Sequence, residues 1–354
     1  MRIFKFMLGG LLSLCLVMAL ALWDNTSEAG DKFKVIYIAP SLGNAADVVI
    51  AKNWQEVANS EGMDAVIKSA ENDPKREADE WDTAIALGYD AIVGGPVDSN
   101  AATASVKKAN AAGIPVFMLG RTSAGGTVEL IARADQAALG TLAAEELVRR
   151  LKEQRGEVKG IILELQGEMA STNAKVRSDA INAVLSQYSG LEVISRNTHW
   201  LAEQFYDLTK SIASANDVVG ITMGSDVIPG VDAALKSIGK LKKIGEPGHI
   251  VVTGIDGDPR VLGLMGEDYW DASALQDMVG YGTILAHYMK DYLDGSFKID
   301  MAGKLSNSGR AYDDQMAMEA AATAGWEIQT PSRVIDKSNY TDPALWGNAI
   351  QRYQ

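Results

Sequence analysis

Short apolar runs alternate with segments of helical periodicity along most of the chain. The run 34–38 (KVIYI) predicts a buried strand, and Ile50, Trp54 and Val57 then recur on one face of a helix. Helix-ending glycines follow at positions 62, 88 and 113, close to the length of one βα unit apart. Repeated βα units predict parallel strands joined by right-handed crossovers. The other strands predicted in this first series are 64–68, 91–94 and 115–119.

The same alternation restarts after a break near Ala134-Asp135. A helix is predicted at 136–152, with leucines along one face. Strands are then predicted at 160–165, 191–196, 218–223 and 249–255, and helices at 172–187, 202–215, 227–239 and 279–293. Two series of βα units predict an α/β protein with two doubly wound, Rossmann-like parallel-sheet lobes joined by a hinge.

The amino end has the layout of an export signal. Arg2 and Lys5 precede an apolar run from Phe6 to Trp23, and a polar stretch ending in a small residue follows. We predict a signal peptide over residues 1–29, cleaved after Ala29. Cleavage after Ala21 and retention of the segment as a membrane anchor are the alternatives.

Composition narrows the classes of function. A net charge of −13 argues against a nucleic-acid partner, because that binding requires a basic surface. The one cysteine, Cys15, lies in the predicted signal, and the chain has three histidines. We therefore predict no metal site and no cofactor.

In open parallel sheets, ligand-binding and catalytic residues are expected just beyond the carboxyl ends of the strands. The polar residues there do not form a Gly-x-Ser-x-Gly elbow or a phosphate loop, and His199 has no evident nucleophile partner. Asp, Asn, Gln and Arg at strand ends suit a ligand with several hydroxyl groups. We interpret Asp226 as a helix N-cap. A solvated helix charge is the alternative to a binding role for Arg177.

Five motifs in order carry a resemblance to a known family. They are Pro96-Val97-Asp98-Ser99-Asn100-Ala101, 109–121 (ANAAGIPVFMLGR), 164–177 (ELQGEMASTNAKVR), Thr253-Gly254-Ile255-Asp256-Gly257, and Gln276 with Gly282. Together they make most of residues 33–305 resemble the type I periplasmic sugar-binding proteins, especially the ribose-binding branch.

The resemblance implies a set of ligand contacts and two departures from the family pattern. Gly120 stands where the family has an aspartate, and Ala46-Asp47 replace paired aromatic residues. We predict that Asp47 substitutes for the missing carboxylate and that the ligand is a smaller polyol, a tetrose-like or furanose-like sugar, or an open-chain compound. Ser225 stands where the family usually has asparagine. The implied contacts, with Asp47 added, are Asn44, Asp47, Arg121, Arg177, Trp200, Ser225, Asp256 and Gln276.

The family also implies a function and a division of the chain. We expect a monomeric solute-binding protein of the periplasm that closes on a small sugar or polyol and delivers it to the permease of an ABC importer. A sensor that signals to a chemoreceptor or sensor kinase is the alternative, followed by an exported sugar-modifying enzyme. The expected lobes are 30–134 with about 277–303, and 135–276 with about 304–354.

Overall fold

The computed structural model describes residues 32–43, 45–297, 317–320 and 325–353. The predicted export segment, residues 1–29, and Asn44 lie outside the described residues. In the ranges that are described, no helix has both the length and the apolar character needed to cross a membrane.

The first lobe is built on a mainly parallel sheet. Strands are numbered in chain order, and those of this sheet are β1 (Lys34–Ala39), β2 (Asp64–Ser69), β3 (Ala91–Gly94), β4 (Val116–Leu119), β5 (Leu130–Ala134), β11 (Ala317–Ala320) and β12 (Trp326–Thr330). Within the described residues their spatial order is β11-β12-β5-β4-β3-β1-β2. β11 runs antiparallel to β12, whereas β12 pairs with β5 in parallel.

The second lobe has a sheet of the same kind. Its strands are β6 (Gly160–Gln166), β7 (Leu191–Asn197), β8 (Val218–Met223), β9 (Val251–Asp256), β10 (Ala272–Leu275) and β13 (Val334–Asp336). Their order in the described part of the chain is β13-β10-β9-β8-β6-β7, with β13 antiparallel to β10. The predicted class, two parallel-sheet α/β lobes, is confirmed.

Helices connect most of the consecutive parallel strands, whereas β4 and β5 are joined by residues 120–129 without a helix. The helices are α1 (Ala45–Ser60), α2 (Pro74–Leu87), α3 (Ala102–Ala111), α4 (Gln136–Arg155), α5 (Thr172–Leu185), α6 (Ala202–Ala215), α7 (Val231–Ser237), α8 (Pro259–Gly266), α9 (Met278–Leu293) and α10 (Trp346–Ala349). Local sequence sets their ends: the Asp73 side chain accepts hydrogen bonds from two backbone N–H groups of α2, and Pro74 occupies its first position.

The described chain passes between the lobes at three places. It crosses from β5 to α4, from β10 to α9 and from β12 to β13. The lobes are therefore interleaved along the sequence. Residues 326–330 belong to the first lobe, whereas the expected division assigned them to the second. They form β12 in the first sheet because Ile328 is buried in the core there and the strand pairs with β5.

Several strands were not predicted from the apolar pattern. β5 was missed because Arg133 interrupts its apolar run, and β12 contains Glu327, which pairs with that arginine. The large helix aromatics Trp54 and Trp81 are fully buried core residues.

Candidate functional site

A partly enclosed cavity of about 80 Å³ lies where the carboxyl ends of the two sheets face each other. Residues from both lobes line it. Seven of the eight predicted site residues line this cavity: Asp47, Arg121, Arg177, Trp200, Ser225, Asp256 and Gln276. Their role as ligand contacts stays a prediction.

Arg177 is the central cation of the second lobe. It projects from α5 and is 4% exposed, so the alternative of a solvated helix charge is wrong. Its guanidinium donates to Gln136 Oε1 (2.7 Å), to the Gly224 carbonyl (2.5 Å) and to Gln276 Oε1. Burial lowers the pKa of Arg177 from its ordinary value, while the neighbouring Asp256 carboxylate opposes that shift. The hydrogen bonds hold the guanidinium plane in one orientation.

Asp256 is the buried carboxylate that faces this cation. Its Oδ2 accepts a hydrogen bond from the Ser225 hydroxyl (2.5 Å), and its Oδ1 lies 3.9 Å from Arg177 Nη1. Oδ1 has no hydrogen-bond partner among the residues that the structure describes. Burial raises the pKa of Asp256 to about 6, although Arg177 and Ser225 both lower it. The backbone at Asp256 has a φ of 117°, which non-glycine residues rarely adopt.

The carboxyl-terminal segment supports the Asp256 turn from behind. The indole N–H of Trp346 donates to the Asp256 carbonyl at 2.8 Å, and the ring is buried. The backbone conformation of Asp256 is thus held by a residue about 90 positions further along the chain.

Trp200 forms an apolar wall of the cavity. Its ring packs directly on Gly167, where an added Cβ would lie 2.0 Å from ring atoms, so a larger residue there would displace the indole. The indole Nε1 is buried and has no hydrogen-bond partner within the described ranges. Trp200 therefore lines the cavity with an apolar ring that also carries a buried N–H donor.

The first lobe brings an ion pair of its own. Arg121 Nη2 lies 3.7 Å from Asp47 Oδ2, and both side chains are largely buried. Gly120, where the family pattern has an aspartate, has a φ of 71°, a conformation that a side chain there would strain. Gly120 supplies no carboxylate to Arg121. Asp47, on α1, supplies one instead.

Sequence reasoning missed several lining residues and misread one carboxylate. Asn72 follows β2, where the strand-end rule could have found it, and Asn173 lies within one of the family motifs. The N-cap interpretation of Asp226 is wrong: its carboxylate accepts hydrogen bonds from the backbone N–H groups of Gly257 and Asp258 and from Ser273. These hydrogen bonds join segments that are distant in sequence, so no local sequence pattern predicts them.

The raised pKa of Asp256 predicts a stability effect that depends on pH. Because ionisation of Asp256 is disfavoured in the folded protein, the contribution of this group to stability is fully present below its ordinary pKa of 3.8 and is lost as pH rises through about 6. The stability of Asp256→Asn relative to wild type is expected to increase by about 1–3 kcal/mol between pH 4 and pH 8, because the amide does not ionise. Urea denaturation at both pH values measures this. The exposed Asp79→Asn is the control, and equal effects of the two variants would contradict the assignment.

The fold and the site together define a two-lobed ligand-binding protein. A family model described as a periplasmic binding protein domain matches residues 35–296, and the chain belongs to that family. No group of three or more His, Cys, Asp or Glu side chains that could hold a metal ion occurs in the described part of the chain.

Relatives and solved structures agree with this assignment. The chain is 28% identical over 251 residues to the D-apiose import binding protein of Actinobacillus succinogenes, covering 69% of this chain and 76% of that protein. It is 26% identical over 294 residues to the ribose import binding protein of Bacillus subtilis, covering 80% and 91%. A carbohydrate transporter solute-binding protein of Agrobacterium radiobacter, solved with D-arabinose, has a TM-score of 0.75 at 16% identity, covering 89% and 98%.

Proposed function

We propose that this chain is an exported solute-binding protein that captures a small, neutral, polyhydroxylated compound between its lobes and delivers it to an ABC importer. The observation that carries the proposal is the pair of buried, unpartnered polar atoms among the described residues lining the cavity, Asp256 Oδ1 and Trp200 Nε1. One is an acceptor and the other a donor. A hydroxyl group can donate to the first and accept from the second.

The charges around the cavity favour a neutral ligand. Two arginines line it, and each faces an aspartate: Arg121 faces Asp47, and Arg177 faces Asp256. An anionic ligand would meet the two carboxylates, and a cationic ligand would meet the two guanidinium groups. Hydroxyl groups accept from arginine and donate to aspartate, and such charge-assisted hydrogen bonds are strong.

The size of the cavity supports a small ligand. A volume of about 80 Å³ favours a small ligand over an oligosaccharide. Ala46 in the place of an aromatic residue leaves one fewer ring to stack on a pyranose. A tetritol, a tetrose or a furanose-like sugar meets both conditions, and the names of the relatives, apiose and ribose import binding proteins, fit this class.

The family and the signal-like amino end support export. We infer that residues 1–29 direct the chain to the periplasm and are removed there. The proposal contains no catalytic step.

A thermal-shift screen tests the proposed ligand class. The panel contains tetritols, tetroses, pentoses, hexoses, sugar acids and amino sugars, because a compound that binds only the folded state raises the melting temperature. We expect the largest shifts from neutral four- and five-carbon compounds. Shifts confined to sugar acids or amino sugars would contradict the neutral class, and no shift from any hydroxylated compound would contradict the function.

A further inference from the structure

One asparagine side chain joins the two lobes across the cavity. Asn173 lies in the first turn of α5, in the second lobe, and is almost completely buried. Its Nδ2 donates to the Gly120 carbonyl at 2.7 Å, and its Oδ1 accepts from Arg133 Nη1 at 3.0 Å. Gly120 and Arg133 both belong to the first lobe, so a single amide makes two hydrogen bonds between the lobes.

Arg133 is held in place for this contact. Its Nε and Nη2 donate to the two carboxylate oxygens of Glu327 at 2.7 and 2.8 Å. A bidentate pair of this kind fixes the guanidinium plane, and Nη1 is left to point at Asn173. Glu327 lies on β12, the strand of the carboxyl-terminal segment that joins the first sheet. Neither Arg133 nor Glu327 lines the cavity.

The neighbouring residue adds a second contact between the lobes. The backbone N–H of Thr172 donates to the Ser99 hydroxyl at 3.2 Å, and Ser99 lies in the loop between β3 and α3. The start of α5 therefore bonds to two separate loops and one strand of the first lobe. All of these bonds are between protein atoms.

We propose that Asn173, Arg133 and Glu327 form a clasp that holds the lobes closed without help from a ligand. Asn173 belongs to the second lobe and both of its partners belong to the first, so a hinge motion that separates these segments breaks the hydrogen bonds of the amide. The clasp sets the fraction of ligand-free molecules that are closed. Because apparent affinity scales with that fraction, Arg133 and Glu327, which do not line the cavity, act as positioning residues that raise the affinity for every ligand of the site by the same factor.

The test measures the distance between the lobes in ligand-free protein. Cysteines replace Lys107 on α3 and Glu203 on α6, both exposed, in a chain with Cys15→Ser. Spin labels at these positions report closed and open populations by pulsed electron resonance. Asn173→Ala is expected to lower the ratio of closed to open molecules about tenfold.

A matched control lies on the same helix. Among the described residues, the Asn182 side chain bonds within the second lobe, to Glu164 (2.8 Å) and to the carbonyl and hydroxyl of Ser178 (2.8 and 3.4 Å). Asn182→Ala is expected to leave the distance distribution unchanged. Melting temperatures of both variants separate opening from loss of fold.

A second, milder variant, Glu327→Gln, tests the clasp if Asn173→Ala folds poorly. Glu327→Gln preserves the size of the side chain, weakens the clamp on Arg133 and touches neither cleft surface. It is expected to open the lobes part of the way. Distance distributions identical to wild type in every clasp variant that folds would overturn the proposal, whatever ligand the site takes.

Discussion

Replacement of Arg177 by alanine is expected to lower the free energy of unfolding by about 3–5 kcal/mol, because it removes one partner of a buried charged network. The variant leaves the Asp256 carboxylate buried without its cation. It also removes the donors to Gln136 Oε1 and Gln276 Oε1. These two glutamines lie in the first and second crossings between the lobes. The substitution therefore removes hydrogen bonds at the hinge as well as at the cavity.

Urea denaturation followed by circular dichroism measures this loss. Lys175→Ala is the matched control, since Lys175 lies on the same helix and forms an exposed pair with Asp179. It is expected to change stability by less than about 0.5 kcal/mol. A loss at Arg177 no larger than that at Lys175 would show that the buried network contributes little to the folded state.

Trp346→Ala is expected to destabilise the protein by about 3–5 kcal/mol, the usual cost of removing a fully buried tryptophan ring. The ring packs in the core of the second lobe, and its N–H bonds to the Asp256 carbonyl. Ligand affinity is expected to fall as well, because the φ of 117° at Asp256 persists only where surrounding structure holds it.

The conservative variant Trp346→Phe separates packing from hydrogen bonding. It retains most of the buried ring and loses only the N–H donor, so the expected cost is about 1 kcal/mol. Thermal and urea unfolding of both variants give the comparison. Equal losses for alanine and phenylalanine would mean that ring packing is not the main contribution of Trp346.

The local pattern predicted most elements of the βα series, because a buried parallel strand and an amphipathic helix are each encoded over a few consecutive residues. β12 and β13 were not predicted. Their positions depend on pairing with β5 and β10, far away in the sequence. Arg133 and Glu327 break the apolar runs of β5 and β12, and only the folded sheet shows that the two charges cancel.

Strand-end reasoning and the family motifs led to most of the site. Asp256, Ser225 and Gln276 follow neighbouring strands of one sheet, so their convergence follows from topology. The bonds of Asn173 across the cleft and the support of Asp256 by Trp346 could not be predicted in this way. Each joins segments whose proximity depends on the relative placement of both lobes and of the carboxyl-terminal segment.

The central claim is that Asp256 and its neighbours bind a neutral hydroxylated ligand in the cavity. Isothermal titration calorimetry tests it most directly, using the compound with the largest thermal shift and three proteins: wild type, Asp256→Ala and the exposed control Asp79→Ala. We expect one molecule bound per wild-type chain, unchanged affinity for the control, and binding weaker by about 1.5–3 kcal/mol, or roughly ten- to 150-fold, for Asp256→Ala. Equal affinity of wild type and Asp256→Ala would contradict the account.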